Sequence, residues 1–332
     1  MKIKRGIAFL IIVFCAVFTA VFGRFAIKEN GIDVTPPTYR GVIKLWQIDS
    51  FEGGTGSRKQ FLLSAAAEYE KTADGVLVMV ISHTQESAKT AISQGNVPDL
   101  ISYGAGTYLP PLAGIDVQNY IVAGAVADKV YATPWCRGGY CLIENPAFSE
   151  NKKKKQFKFT VSESGNSLPL VAAAVSGTEI SDFNIKTSLN AYTDFVAGKS
   201  KYLLGTQRDI NRLLNRGMDF ICTPITVYND LYQYISLTDN DKEKTEYAQG
   251  FIDYLMTEKV QKNLYKIGMY SCFYPVEYDN VSMRDMQNAR FKYTVPAFSS
   301  AELLEELKDL SHKVFNGEED AFIKIQKLLT LS

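Results

Sequence analysis

Histidine is almost missing from this chain: His83 and His312 are the only two among 332 residues. No nucleophile elbow, zinc-binding helix or Walker loop is present, so the usual signatures of hydrolases, metallopeptidases and nucleotidases are lacking. His83 follows a strand end and can face a cleft but has no obvious partner, and His312 sits among helical positions at the surface. An excess of charge is lacking as well. The 36 basic residues balance the 36 acidic ones, so nothing global points to nucleic acid or to an acidic substrate. There is no low-complexity tract and no internal repeat. Tryptophan occurs twice, at positions 46 and 135. These absences favour a binding protein over an enzyme, with no cofactor and no metal expected.

What is present begins with a leader. Lys2, Lys4 and Arg5 precede an uncharged, mostly apolar run from Gly6 to Gly23. That run has the basic region and apolar core of an export signal, and roughly the minimum length for a membrane-spanning helix. Residues 1–25 are therefore read as a signal peptide or an uncleaved anchor. In either case the remainder lies on the extracellular face of the membrane, tethered or secreted. Phe14 before Cys15 argues against a lipoprotein cleavage site. Residues 26–40, with Pro36-Pro37, form a tether. Cys136, Cys141, Cys222 and Cys272 can pair outside the cytoplasm or serve as small buried hydrophobes. Lys152 to Lys155 is read as a solvated connection.

Beyond the tether the pattern alternates between strand and helix. Val42–Trp46 reads as a strand, Ser57–Lys71 as a helix capped by Thr55 or Ser57, and Val76–Ile81 as a continuous apolar, buried parallel strand. A short helix at Gln85–Ser93 and a third strand at Leu100–Tyr103 complete a doubly wound α/β pattern. Lys129–Asn145 reads as two short strands or one bent strand that leaves this first lobe. A second α/β lobe follows, with strands at Phe157–Val161, Lys201–Leu204 and Phe220–Thr223 and helices at Leu168–Ser176, Ser188–Ala197 and Ile210–Leu214. The segment Tyr228–Leu237 is β-like. Amphipathic helices are predicted at Lys242–Leu255, Val260–Ile267, from a Ser299/Glu302 capping box to Gly317, and at Asp320–Leu329. The resulting boundaries are 41–140 for lobe 1, completed by about 223–275, and 141–222 for lobe 2, completed by about 276–332.

Four strand ends carry aromatic rings beside amide, carboxylate and guanidinium groups. Trp46, Gln47, Asp49, Phe51 and Glu52 follow the first strand, and Tyr103, Thr107 and Tyr108 follow the third. Trp135, Arg137 and Tyr140 occupy the crossover, and Thr206, Gln207 and Arg208 lie between a strand and a helix in lobe 2. Sugars need this mixture, because ring faces stack on their C–H face and polar groups take adjacent hydroxyls. Trp46 and Tyr103 can equally belong to the core, and Asp49 and Glu52 to a solvated loop. Glu52-Gly53-Gly54-Thr55-Gly56 lacks the lysine and the spacing of a phosphate loop. Its glycines read as a tight turn that leaves room for a bound sugar.

Five segments carry a family resemblance. They are IKLWQIDSFEGGTGSRKQFLLSAAAEYEK, GNVPDLISYGAGTYLPPL, VYATPWCRGGYCLIEN, LNAYTDFVAGKSKYLLGTQRDINRL and AQGFIDYLMTEKVQKNLYKIGMYS. Their order and spacing resemble the extracellular solute-binding proteins of ABC importers, in the cluster that binds maltose and other oligosaccharides. The resemblance covers most of residues 41–332. It implies a type II periplasmic-binding-protein-like α/β clamp that closes on its ligand. It also implies a saccharide as the ligand, delivery to an ABC permease, a monomeric state, and no nucleic-acid partner. The ligand set read from the strand ends is Trp46, Asp49, Phe51, Glu52, Tyr103, Thr107, Tyr108, Trp135, Arg137, Thr206, Gln207 and Arg208, with Trp46 and Trp135 expected to stack on the sugar. Two departures stand out: lobe 2 is short, and the lipobox is absent. The alternatives are a membrane-tethered sensory or accessory binding protein without transport, and an α/β enzyme using Asp49 or Glu52 as acid or base.

Overall fold

The structure is a computed structural model that describes residues 39–117, 120–150, 156–238 and 242–330, together with Phe18. Apart from Phe18, the predicted leader lies outside the described residues, as do nearly all of the tether and the lysine run. Among the described residues no helix is long and apolar enough to cross a membrane.

β1 (Gly41–Ile48) is β-rich and buried over its last four residues, as a central strand should be. It leads to α1 (Arg58–Tyr69), whose first free amides are met by the Ser57 hydroxyl. β2 (Val76–His83), α2 (Gln85–Ser93) and β3 (Leu100–Tyr103) follow. After β3 come the short β4 (Leu112–Ala113), β5 (Ala125–Val126), β6 (Lys129–Val130) and β7 (Thr133–Arg137). β8 (Tyr140–Glu144) opens the second lobe. It continues through β9 (Phe157–Glu163), α3 (Pro169–Val175), β10 (Phe183–Thr187), α4 (Ser188–Val196), β11 (Ser200–Thr206), α5 (Gln207–Arg216) and β12 (Ile221–Pro224). β13 (Tyr232–Thr238), α6 (Lys242–Leu255) and α7 (Glu258–Gln261) return to the first lobe, and α7 runs on as a 3₁₀ turn at Lys262–Ile267. The chain ends in α8 (Val281–Gln287), α9 (Ala301–Phe315) and α10 (Glu319–Thr330).

Two sheets organise these elements. The first runs β2-β1-β3-β13-β4, with β7 also paired to β13. β1, β2 and β3 are parallel, whereas β13 is antiparallel to its neighbours. The second runs β10-β9-β11-β8-β12, with β8 antiparallel to both β11 and β12. Helices cover both faces of each sheet. In the first lobe Leu62, Ala65 and Ala66 of α1 and Phe251, Ile252 and Leu255 of α6 pack on Ile43, Leu45 and Val78. In the second, Phe195, Ile210 and Leu213 join Cys141, Ile143 and Met283 on one face. Burial on this scale drives the fold, at about 1.5–3 kcal/mol for each large aliphatic or aromatic side chain.

Some elements differ from the sequence reading. β2 is an edge strand whose outward residues Leu77 and Met79 are exposed, so only one of its faces is buried. β10 and α8 were not anticipated. The cap of α9 is Ser300, which accepts from the Leu303 amide, rather than Ser299. Cys136, Cys141, Cys222 and Cys272 are all free thiols, and Cys136 and Cys141 are fully buried. Of the two alternatives, Cys136 and Cys141 thus follow the second, as small buried residues.

Candidate functional site

The loop after β1 turns its polar groups onto a buried arginine. Arg58, at the start of α1, donates to Phe51 O at 2.5 Å and to Gln233 Oε1 at 2.9 Å, and its guanidinium lies 4.4 Å from the Phe51 ring centre. It also pairs with Asp49 at 2.8 Å. Gln233 passes the network on, donating to Ile48 O and to Ser102 Oγ, both at 3.0 Å. Ser102 Oγ in turn accepts from Trp135 Nε1 at 2.9 Å. Trp135 is fully buried and stacks on Phe61 at 5.6 Å. Its ring and its N–H are both used inside lobe 1, so no face is left for a sugar.

Trp46 and Tyr103 are likewise core residues. Trp46 is 1% exposed and packs against the His83 ring at 4.1 Å, and Tyr103 is fully buried with its hydroxyl 3.0 Å from Ser236 Oγ. Burial pushes the Tyr103 phenol far above its usual range. Phe51 is buried beneath Arg58. Arg137 belongs to the crossover, where it donates to Gln287 O at 2.6 Å and lies 5.0 Å and 5.1 Å from the Tyr270 and Phe291 ring centres. The expectation that these rings and this arginine face a ligand is corrected by their packing.

The glycine turn has a different purpose from the one its sequence suggests. Gly56 N donates to Ile267 O at 3.3 Å, and a Cβ at Gly54 would overlap Ile267 O. The space beside Gly54 and Gly56 holds the 3₁₀ turn that follows α7, not a sugar.

Across the seam, the start of α5 meets lobe 1. Thr206 caps the helix, and its own amide donates to Asp209 Oδ2 at 3.0 Å, making a reciprocal capping box. Gln207 is buried and accepts from Gly139 N at 3.0 Å. Arg208 Nε and Arg212 Nη2 each stand 3.1 Å from Glu52 Oε1. Burial lowers the Arg208 pKa from its ordinary value, whereas burial raises that of Asp209 to about 6. The loop after β9 closes the same seam. Asn166 donates its amide to Ser50 O at 2.7 Å and its Nδ2 to Ala105 O at 2.8 Å. Gly165 (φ +57°) lies so close that a Cβ would overlap Ser50 O. The two lobes are thus in direct contact where a ligand cleft was expected.

A groove of about 580 Å³ remains open between the loop after β3 and the start of α9. Tyr108 stands in it with half its surface exposed, 5.7 Å from Lys89 Nζ. Gln85, Glu86, Thr107, Ser299 and Glu302 also line it. The hydroxyls of Thr107 and Ser299 are buried and have no hydrogen-bond partner among the described residues. The backbone amide of Glu302 and the Ser300 hydroxyl lower the Glu302 pKa, and nearby Lys89 adds to this. One exposed ring and charges of both signs make a surface suited to a neutral polyol. Of the sequence-predicted set, the structure brings Thr107 and Tyr108 to this groove. It gathers Asp49, Glu52, Thr206, Gln207 and Arg208 around the seam. Sequence reasoning missed Arg58, Arg212, Lys89 and Asn166. The four-residue spacing of Arg208 and Arg212 was the one available signal among them. Among the described residues no group of three or more His, Cys, Asp or Glu could hold a metal ion.

No family model and no curated protein matches the sequence. Solved structures do share the fold. The sugar-binding protein MalE from Xanthomonas citri is similar with a TM-score of 0.62 at 12% identity, over 87% of this chain and 96% of that one. The GacH receptor of Streptomyces glaucescens, solved unliganded and with acarbose, is similar with a TM-score of 0.58 at 14% identity, over 88% and 99%. The maltose/maltodextrin-binding domain MalE from Bdellovibrio bacteriovorus, bound to maltotriose, gives 0.54 at 15% identity, over 87% and 98%. The chain therefore has the two-lobed α/β fold of periplasmic binding proteins, as its five sequence segments imply.

Proposed function

We propose that this protein is an extracellular solute-binding protein that captures a sugar or oligosaccharide and delivers it to an ABC permease. The groove between Tyr108 and the start of α9 carries this reading, because it combines an open ring face with charged groups of both signs at Lys89, Glu86 and Glu302. The fold is shared with proteins whose structures hold maltotriose or acarbose, which supports a saccharide as the ligand. In this reading Tyr108 stacks on the sugar, while Glu302 and Lys89 bond its hydroxyls and Thr107 and Ser299 form the wall beneath. Asp49, Glu52, Thr206, Gln207 and Arg208 govern how the lobes meet. No proton transfer or covalent step is required. The protein acts as a monomer at the extracellular face, held there by its leader or secreted.

A second reading, a tethered sensory or accessory protein without transport, is favoured by one observation. The cleft is closed by the chain's own contacts, through Asn166 on Ser50 and Glu52 on two arginines. The enzyme reading has less support, since Asp49 is bonded to Arg58 and Glu52 to Arg208 and Arg212. A thermal-shift screen of the full chain against saccharides, amino acids, polyamines and metal ions tests the proposal. We expect stabilisation by a saccharide that is recovered intact. Stabilisation by none of the saccharides would sink the proposal, and hydrolysis would support the enzyme.

A further inference from the structure

We propose that Glu52, Arg208 and Arg212 form an ionic latch that holds the two lobes together in the absence of any ligand. The three residues come from opposite sides of the seam, Glu52 from the loop after β1 and the arginines from α5. One carboxylate oxygen receives Arg208 Nε and Arg212 Nη2 at the same 3.1 Å. Spacing by four residues places the two guanidiniums on one helix face. Asp209 Oδ1, 3.4 Å from Arg212 Nη1, orients the second of them. All three latch side chains are more than two-thirds buried, at 19%, 29% and 19% exposed for Glu52, Arg208 and Arg212. A pair so placed is screened less than a surface ion pair.

The charge arrangement makes Glu52 the component that matters. Arg208 and Arg212 are like charges on one face, and the positive field of Arg58 also reaches Arg208. With Glu52 in place they converge on a shared anion. Without it Arg208 meets only like charge from Arg58, which lies on the lobe 1 side of the seam. Removing the carboxylate therefore replaces attraction by repulsion and favours parting of the lobes. A second contact closes the same seam without charge: Asn166 N donates to Ser50 O at 2.7 Å, with Gly165 packed too tightly on Ser50 to admit a side chain. That amide reports whether the seam is shut. The latch does not depend on what occupies the Tyr108 groove, so its test uses no ligand.

Hydrogen exchange on the ligand-free full chain reads it directly. In the native protein the peptide covering Ser164–Leu168 should exchange slowly. In Glu52→Gln it should exchange about tenfold faster, with the β11 peptide unchanged as evidence that lobe 2 stays folded. Molar sodium chloride should move the native protein in the same direction. Gly165→Ala, which wedges the seam at Ser50, shows what an opened seam looks like. Unchanged exchange in Glu52→Gln would overturn the latch, most sharply if Gly165→Ala alone accelerates it.

Discussion

Tyr108 and Trp135 are both large aromatic residues near a strand end, yet the structure gives them opposite roles. Trp135→Ala removes a fully buried ring and one of the two hydrogen bonds that Ser102 Oγ accepts. It should lower the unfolding free energy by about 3–5 kcal/mol in urea denaturation. Tyr108 → Ala removes a half-exposed ring and should change stability by about 0.5 kcal/mol or less. Titration provides a second residue-scale test. Asp230 is fully buried beside Leu168 N and Tyr140, and burial raises its pKa from 3.8 to about 7. Asp209 shifts the same way, to about 6. Both carboxyls bind protons more tightly folded than unfolded, so the folded state carries the extra protons between the two pKa values. Stability should therefore be greatest below pH 4 as far as these groups are concerned, and fall as pH rises toward 7. Asp230→Asn should flatten that slope in urea midpoints measured from pH 4 to 7, and an unchanged slope would exclude Asp230 as its source. The burial of Trp46 and Trp135 could not be read from sequence. In an α/β sheet covered on both faces, every residue at a strand end can point into a core, and periodicity does not say which.

At the scale of elements, the long periodic segments were legible. The cores of β1, α1, β3, α6 and α9 fall where alternation and apolar stripes place them. α5 begins at Gln207, capped by Thr206 and Asp209, three residues before the Ile210 start that the sequence predicts. β10 was not legible, because Phe183–Thr187 is short and mixes apolar with polar residues that end up half-buried. α8 was missed although Asn280 offers a cap, since seven residues leave too little pattern. The turn at Gly53–Gly56 shows why local sequence falls short. Its glycines answer to Ile267, more than 200 positions along the chain. Gly54→Ala should therefore lower stability by about 1–3 kcal/mol by forcing the 3₁₀ turn after α7 away from the loop. A thermal midpoint equal to that of the native protein would contradict this packing.

At the scale of the whole molecule, the order of five segments was enough to read a two-lobed clamp, and the shared fold of the MalE proteins agrees with it. The state of the clamp could not be read, because the contacts that shut it join residues remote in sequence: Glu52 to Arg212, Ser50 to Asn166, Ala105 to Asn166. The resulting molecule has its lobes joined across the seam and an open groove at Tyr108. In the function proposed above, a saccharide occupies that groove. Isothermal titration of the full chain with maltotriose, a xylo-oligosaccharide and a chito-oligosaccharide, native beside Tyr108→Ala, tests it most directly. At least one of them should bind the native chain, and the variant should lose about tenfold or more in affinity. Binding of none, or equal binding by both proteins, would contradict it.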